Sequence, residues 1–142
     1  MRDLHHDLKT VQTLDPAVTT SARAGAPVDR QGFEAVEHIV LFGASGDTLS
    51  SSLKIEAKLE ASEDGTNWTA VTDAKDVNGD VSASGIFATV DAAAKAQTEY
   101  RIGYVGNARY SRVTLAPSGA HANGTPVSAL AILASAHVRP VV

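Results

Sequence analysis

Apolar and polar residues alternate most regularly in LKIEAKLEA, residues 53–61. Leu53, Ile55, Ala57, Leu59 and Ala61 share one parity, and Lys54, Glu56, Lys58 and Glu60 share the other. On a strand this separates an apolar face from a charged one; on a helix the same apolar residues would spread around the axis. FEAVEHIVLFG, residues 33–43, starts with the same alternation. It then runs apolar through Ile39, Val40, Leu41 and Phe42, the mark of a strand covered on both faces near one end. Further strands are expected at residues 68–71, 85–90, 100–105 and 110–115, with a closing buried strand, VSALAILASA, at residues 127–136. Turn signals separate them: Asp64-Gly65, Asn78-Gly79, and Gly106-Asn107 between the two tyrosine-bearing strands, which are expected to form a hairpin. DAAAKAQTE, residues 91–99, offers no more than one helical turn.

About seven or eight short strands without a long helix predict an all-β, single-domain antiparallel β-sandwich or jelly roll over residues 31–142. Residues 1–30 show no periodic stripe, and LDPAVTTSARAGAPVDRQG is rich in Ala, Thr, Pro and Gly. They read as an extended N-terminal arm with one or two short strands at most, ordered against a neighbour. On that reading, residues 1 to about 25 can be deleted with more damage to attachment than to folding.

Composition narrows the function. The chain has 142 residues, enough for one domain with a real core. Its 44% of apolar residues is carried by Ala and Val more than by aromatics, which implies a thin, β-branched core. A net charge of -4 argues against a nucleic-acid partner. The absence of cysteine removes disulfides, thiolate metal sites and thiol nucleophiles. The opening residues carry no apolar run of signal-peptide length, and no span approaches the roughly 20 residues of a membrane helix. The expectation is a cytoplasmically made protein without a membrane partner. The sequons at Asn67 and Asn123 then read as turns, not glycans.

Candidate chemistry is sparse, and no cofactor or metal is expected. His5 and His6 are adjacent, so on a strand they face opposite ways and cannot share an ion. His38, His121 and His137 are scattered, and no serine sits in a nucleophile elbow. Asp73, Asp76, Asn78 and Asp80 match a calcium loop only at Asp76-x-Asn78-Gly79, which leaves a solvated hairpin loop as the better reading. Gly43-Ala44-Ser45-Gly46 lacks the lysine and helix of a phosphate loop. No catalytic residue is assigned, and the chain is expected not to be an enzyme.

All three tyrosines and three of the arginines crowd into YRIGYVGNARYSRVTLAP, residues 100–117. By parity, Tyr100, Ile102 and Tyr104 share one face of the first strand, while Ser111, Val113 and Leu115 make the apolar face of the second. The tyrosines are expected to brace the sheet. Arg101, Arg109 and Arg112 are left at the rim, available for salt bridges between subunits. With Leu4, Leu8, Val11 and Leu14 of the arm, they form the expected partner-binding set.

GFEAV followed by an apolar strand, LEASEDGTNWTAV, and the stretch from Tyr100 to Leu133 resemble small proteins of tailed bacteriophages and prophages, encoded beside the head genes. The family pattern has a DDGxxW hairpin, matched here by Asp64, Gly65 and Trp68, with Glu63 in place of the first Asp. A second hairpin, YRVGYxGxxRYxRV, is matched by Tyr100, Arg101, Gly103, Tyr104, Gly106, Arg109, Tyr110, Arg112 and Val113. The resemblance implies a virion structural protein, foremost a capsid decoration (cement) protein on the surface of an icosahedral head. The implied partners are the major capsid protein and further copies of the chain, with a trimer as the expected order. A head–tail or tail component, a carbohydrate-binding jelly-roll module displaying Trp68, and an enzyme built on one of the histidines are the alternatives.

Overall fold

The computed structural model describes residues 3–141 as two antiparallel sheets packed face to face. The strands in chain order are β1 (Lys9–Thr19), β2 (Arg23–Ala24), β3 (Val28–Asp29), β4 (Phe33–Phe42), β5 (Lys54–Ser62), β6 (Thr69–Ala70), β7 (Val77–Asn78), β8 (Ile86–Val90), β9 (Glu99–Tyr104), β10 (Tyr110–Ser118) and β11 (Thr125–Ala136). One sheet runs β1-β11-β4-β9-β7; the other runs β2-β10-β5-β6, with β3 also paired to β10 and β8 to β5. Single 3-10 turns at Ala74–Asp76 and Ala93–Lys95 are the only helical pieces among the described residues. The chain is an all-β sandwich.

Strand parity does what the pattern demands. In β5 the side chains of Ile55, Ala57 and Leu59 are fully buried, while Lys54, Glu56, Lys58 and Glu60 face outward. The main core joins Ile55 and Ala57 to Val113 and Leu115 of β10, and to Val40, Val127 and Ala129 of the opposite sheet. Valine and alanine dominate it, as the composition implies. Burying such side chains contributes about 1.5–3 kcal/mol for each large one, ample against the cost of ordering the strands only when many act together.

Two expectations are corrected. Residues 1–30 are not an arm hanging from the sandwich. β1 lies antiparallel along β11 from Lys9↔Leu133 to Thr19↔Thr125 and forms one edge of the five-stranded sheet. Its register slips between Gln12 and Leu14 and again between Leu14 and Ala17, so Thr13 and Leu14 are both buried. Those bulges erase the two-residue period, which is why the sequence looked patternless there. Pro16 falls in the second bulge of this edge strand, a place where a residue without an N–H is tolerated. Met1, Arg2 and Val142, the outermost residues of the expected arm and domain, lie outside the described residues.

The second correction concerns the tyrosine-rich stretch. β9 and β10 do not pair with each other: β9 sits between β4 and β7, and β10 pairs with β5 in the other sheet. The Gly106-Asn107 link is therefore an arch between the sheets. It wraps around Tyr104, whose hydroxyl accepts the Ala108 N–H at 3.1 Å. By contrast, the Asp64-Gly65 turn does close a hairpin, with Glu60↔Ala70 and Ala61↔Thr69 in register.

Candidate functional site

The seven candidate partner-binding residues part company in the structure. Leu14 is buried in the main core, and Val11 packs on Val28, Val36, Ala131 and Leu133. Leu14 is not free to meet a partner, while Val11 is only partly buried and borders a surface depression with Lys9, Pro27 and Phe33. Leu4 is 64% exposed and Leu8 half-buried; the Leu4 carbonyl accepts the N–H groups of Asp7 and Leu8, forming a turn just before β1. Leu4 and Leu8 border a shallow surface depression together with His5 and Val141.

Two of the three arginines are engaged within the chain. Arg109 forks onto Asp29, Nε to Oδ1 at 2.9 Å and Nη2 to Oδ2 at 2.6 Å, and Nη2 also reaches Gln31 Oε1 at 2.5 Å. That guanidinium holds the Asp29 carboxyl below its usual range. Arg112 donates from Nε to Glu60 at 2.7 Å and lies 4.2 Å above the Trp68 ring. Only Arg101 stays largely uncommitted: its side chain is 77% exposed and its nearest carboxylate, Glu37, is 3.8 Å away. Burial pushes the Glu37 carboxyl up, with Arg101 opposing the shift.

The histidines do not converge on a cleft. His38 Nε2 hydrogen-bonds Ser111 Oγ at 2.8 Å, with both residues sealed in the interior and the His38 pKa pushed down to about 4 by burial. His121 Nε2 donates to the carbonyls of Lys54 and Ser118. Its Nδ1 lies 3.6 Å from Asp47, a carboxylate held low by the backbone N–H groups of Asn123 and Gly124. His5 and His6 lie in a turn, not a strand, and His6 Nδ1 meets Asp3 at 2.6 Å. His137 pairs with Glu34 at the surface. Among the described residues, no three His, Asp or Glu side chains gather as metal ligands would. No helix among them is long and apolar enough to cross a membrane.

What the sequence reading missed is the difference between the two outer faces. The face of the β5/β10 sheet is laced with charge: Lys54 bonds Glu56 at 2.5 Å, and Glu60 accepts from Arg112 and from Thr114 Oγ1. The outer face of the β1/β11/β4/β9 sheet is apolar at its centre. Leu130 lies beside Ile39, Ser128 beside Leu41, and Ile132 beside Glu37. Leu41 and Val18 are exposed, and Ile39, Leu130 and Ile132 are half-buried. The signal was present in the apolar runs through residues 39–42 and 129–133, which place apolar side chains at both parities. The expectation that the strand at residues 33–43 is covered on both faces near one end fails at Leu41, which is 42% exposed.

Neither a protein-family model nor a curated protein sequence matches the chain. Among solved structures it is similar to the SPBc2 prophage-derived protein YomS, at 18% identity and a TM-score of 0.47, over 90% of this chain and 95% of that one. It is also similar to a chain of infectious bursal disease virus, Gx strain, at 13% identity and a TM-score of 0.49, over 94% of this chain but 33% of that one. The xylan-binding module CBM15 aligns at 13% identity and a TM-score of 0.37, over 96% of this chain and 95% of the module. None of these likenesses carries an argument about what this chain binds.

Proposed function

We propose that the chain is a virion structural protein: a decoration (cement) protein, not an enzyme, that binds the outer surface of an icosahedral phage head through the major capsid protein. The observation that carries this reading is how the residues of the phage-like motifs are used. Asp64 ties its own turn by accepting from Ser62, Thr66 and Asn67; Arg112 caps Trp68; Arg109 clamps Asp29; Tyr104 props the arch. They hold a scaffold together, and Asp64 borders no more than an open surface depression beside Asn67 and Ala108, so the parts left for recognition are surfaces.

At one end of the sandwich, Leu4, Leu8 and Val141 present apolar side chains to solvent. This end is the contact assigned to a neighbouring capsid subunit. Repeated at each lattice junction, a modest contact adds up over many copies to resist pressure from inside the head. The carbohydrate-binding alternative asks for a free aromatic platform, and the only tryptophan carries a guanidinium on one face.

The test is to add purified protein to heads that lack it. Saturable, stoichiometric binding by sedimentation or electron microscopy supports the assignment; its absence removes it.

A further inference from the structure

The apolar outer face of the β1/β11/β4/β9 sheet calls for an occupant. We propose that a second copy of the chain covers it, through a two-fold contact of sheet face on sheet face. This inference goes beyond attachment to a head and does not depend on it.

The first ground is anatomy. Ile39, Leu41 and Leu130 form the centre, and Pro126 and Val18 extend it along β11 and β1. Polar residues surround them: Thr10 and Gln12 lie on the β1 side, and Glu37, Glu99 and Arg101 on the β4 and β9 side. An apolar centre inside a polar rim is how a protein interface is built, whereas the opposite sheet of the same chain is charged across its middle.

The second ground is extent. With strands about 4.8 Å apart and about 3.3 Å per residue, the roughly forty strand residues of this sheet span about 600 Å². That is of the order of the roughly 800 Å² each partner gives to a stable interface.

The third ground is charge, and it selects a copy of the same chain. On β9, Glu99 pairs with Leu41 and Arg101 with Ile39, so opposite charges flank adjacent apolar rows two residues apart. A two-fold axis lying in the interface, across the strands and between these two rows, reverses their order in the second copy. Arg101 then faces the Glu99 of that copy, its Arg101 faces Glu99 here, and Leu41 meets Ile39. The contact satisfies itself twice by symmetry. It also gives a closer partner to Arg101, whose side chain is 77% exposed and meets its own Glu37 only at 3.8 Å.

Sedimentation velocity on the full chain tests this. The expected result is a species of twice the 14.7 kDa chain mass at micromolar concentration. Arg101→Glu should weaken association by about tenfold or more, and adding Glu99→Arg should restore it to within about threefold of wild type. Leu41→Lys should abolish it, with the circular dichroism spectrum of each variant unchanged. A wild type that stays monomeric, an Arg101→Glu variant that associates normally, or a double variant that fails to recover would each overturn the proposal. So would a monomer that binds heads through Leu41. A dimer that ignores heads would leave this inference standing and sink the decoration assignment alone.

Discussion

His38 of β4 and Ser111 of β10 meet across the middle of the sandwich, Nε2 to Oγ at 2.8 Å, so one buried hydrogen bond joins the two sheets. His38 Nδ1 has no partner among the described residues, and burial lowers the ring's pKa from 6.5 to about 4. The folded protein therefore keeps this ring neutral where the unfolded chain protonates it.

This ring costs the fold nothing well above pH 6.5, and as the pH falls from there toward 4 it destabilises the fold increasingly, by up to about 1.4 kcal/mol per pH unit and about 3 kcal/mol in all. Denaturant unfolding between pH 7.5 and 5 should show that slope, and His38→Gln should flatten it. Asp29, Asp47 and Asp64 are held below the usual carboxylate range, so their contribution is lost only at lower pH. A wild type equally stable at pH 7 and 5 would contradict this account.

Truncation separates the turn from the strand. Removing residues 1–8 leaves β1 intact and should yield a folded, soluble protein with weakened attachment to heads. Removing residues 1–25 strips β1 and β2, bares the edge of β11 and empties the Leu14 site, a loss of about 2–5 kcal/mol for that side chain alone. Insoluble or unfolded protein is expected. Soluble yield and thermal melting of the two deletions check both statements.

Arg109 and Arg101 should behave oppositely on substitution. Arg109→Ala breaks the fork that ties β3 to the start of β10 and should lower the melting temperature by about 2 °C, since both partners are part-exposed. Arg101→Ala should leave the melting temperature of dilute protein unchanged.

Gly106 tests the arch. A Cβ built there would sit 2.5 Å from the Tyr104 hydroxyl oxygen and 2.7 Å from its ring. Gly106→Ala must therefore push the tyrosine that supports the link between sheets, at a cost of about 1–3 kcal/mol in denaturant unfolding. Full wild-type stability would show that the ring has room to move.

Most of the strands were legible because their chemistry is local. The alternation in residues 53–61, the parity of Ile102 with Tyr104 and of Val113 with Leu115, and the Asp64-Gly65 turn follow from a two-residue period and turn geometry. The candidate site was legible only in part. Leu4 and Arg101 are exposed, but nothing in the order of residues tells Arg109 that Asp29, 80 positions away, is its partner.

The sequence by itself determined that the chain is a β-sandwich, which side of each regular strand is apolar, and that two of its strands are apolar on both sides. Tertiary structure alone decided three further things. It placed β9 and β10 in different sheets, because a five-residue link wound around Tyr104 suits an arch better than a tight turn. It made a sheet edge of β1, because bulges let Thr13 and Leu14 both turn inward and hid the strand's period. And it left the outer faces of Leu41 and Leu130 without a cover from their own chain, because a two-layer fold can bury each sheet on one side only.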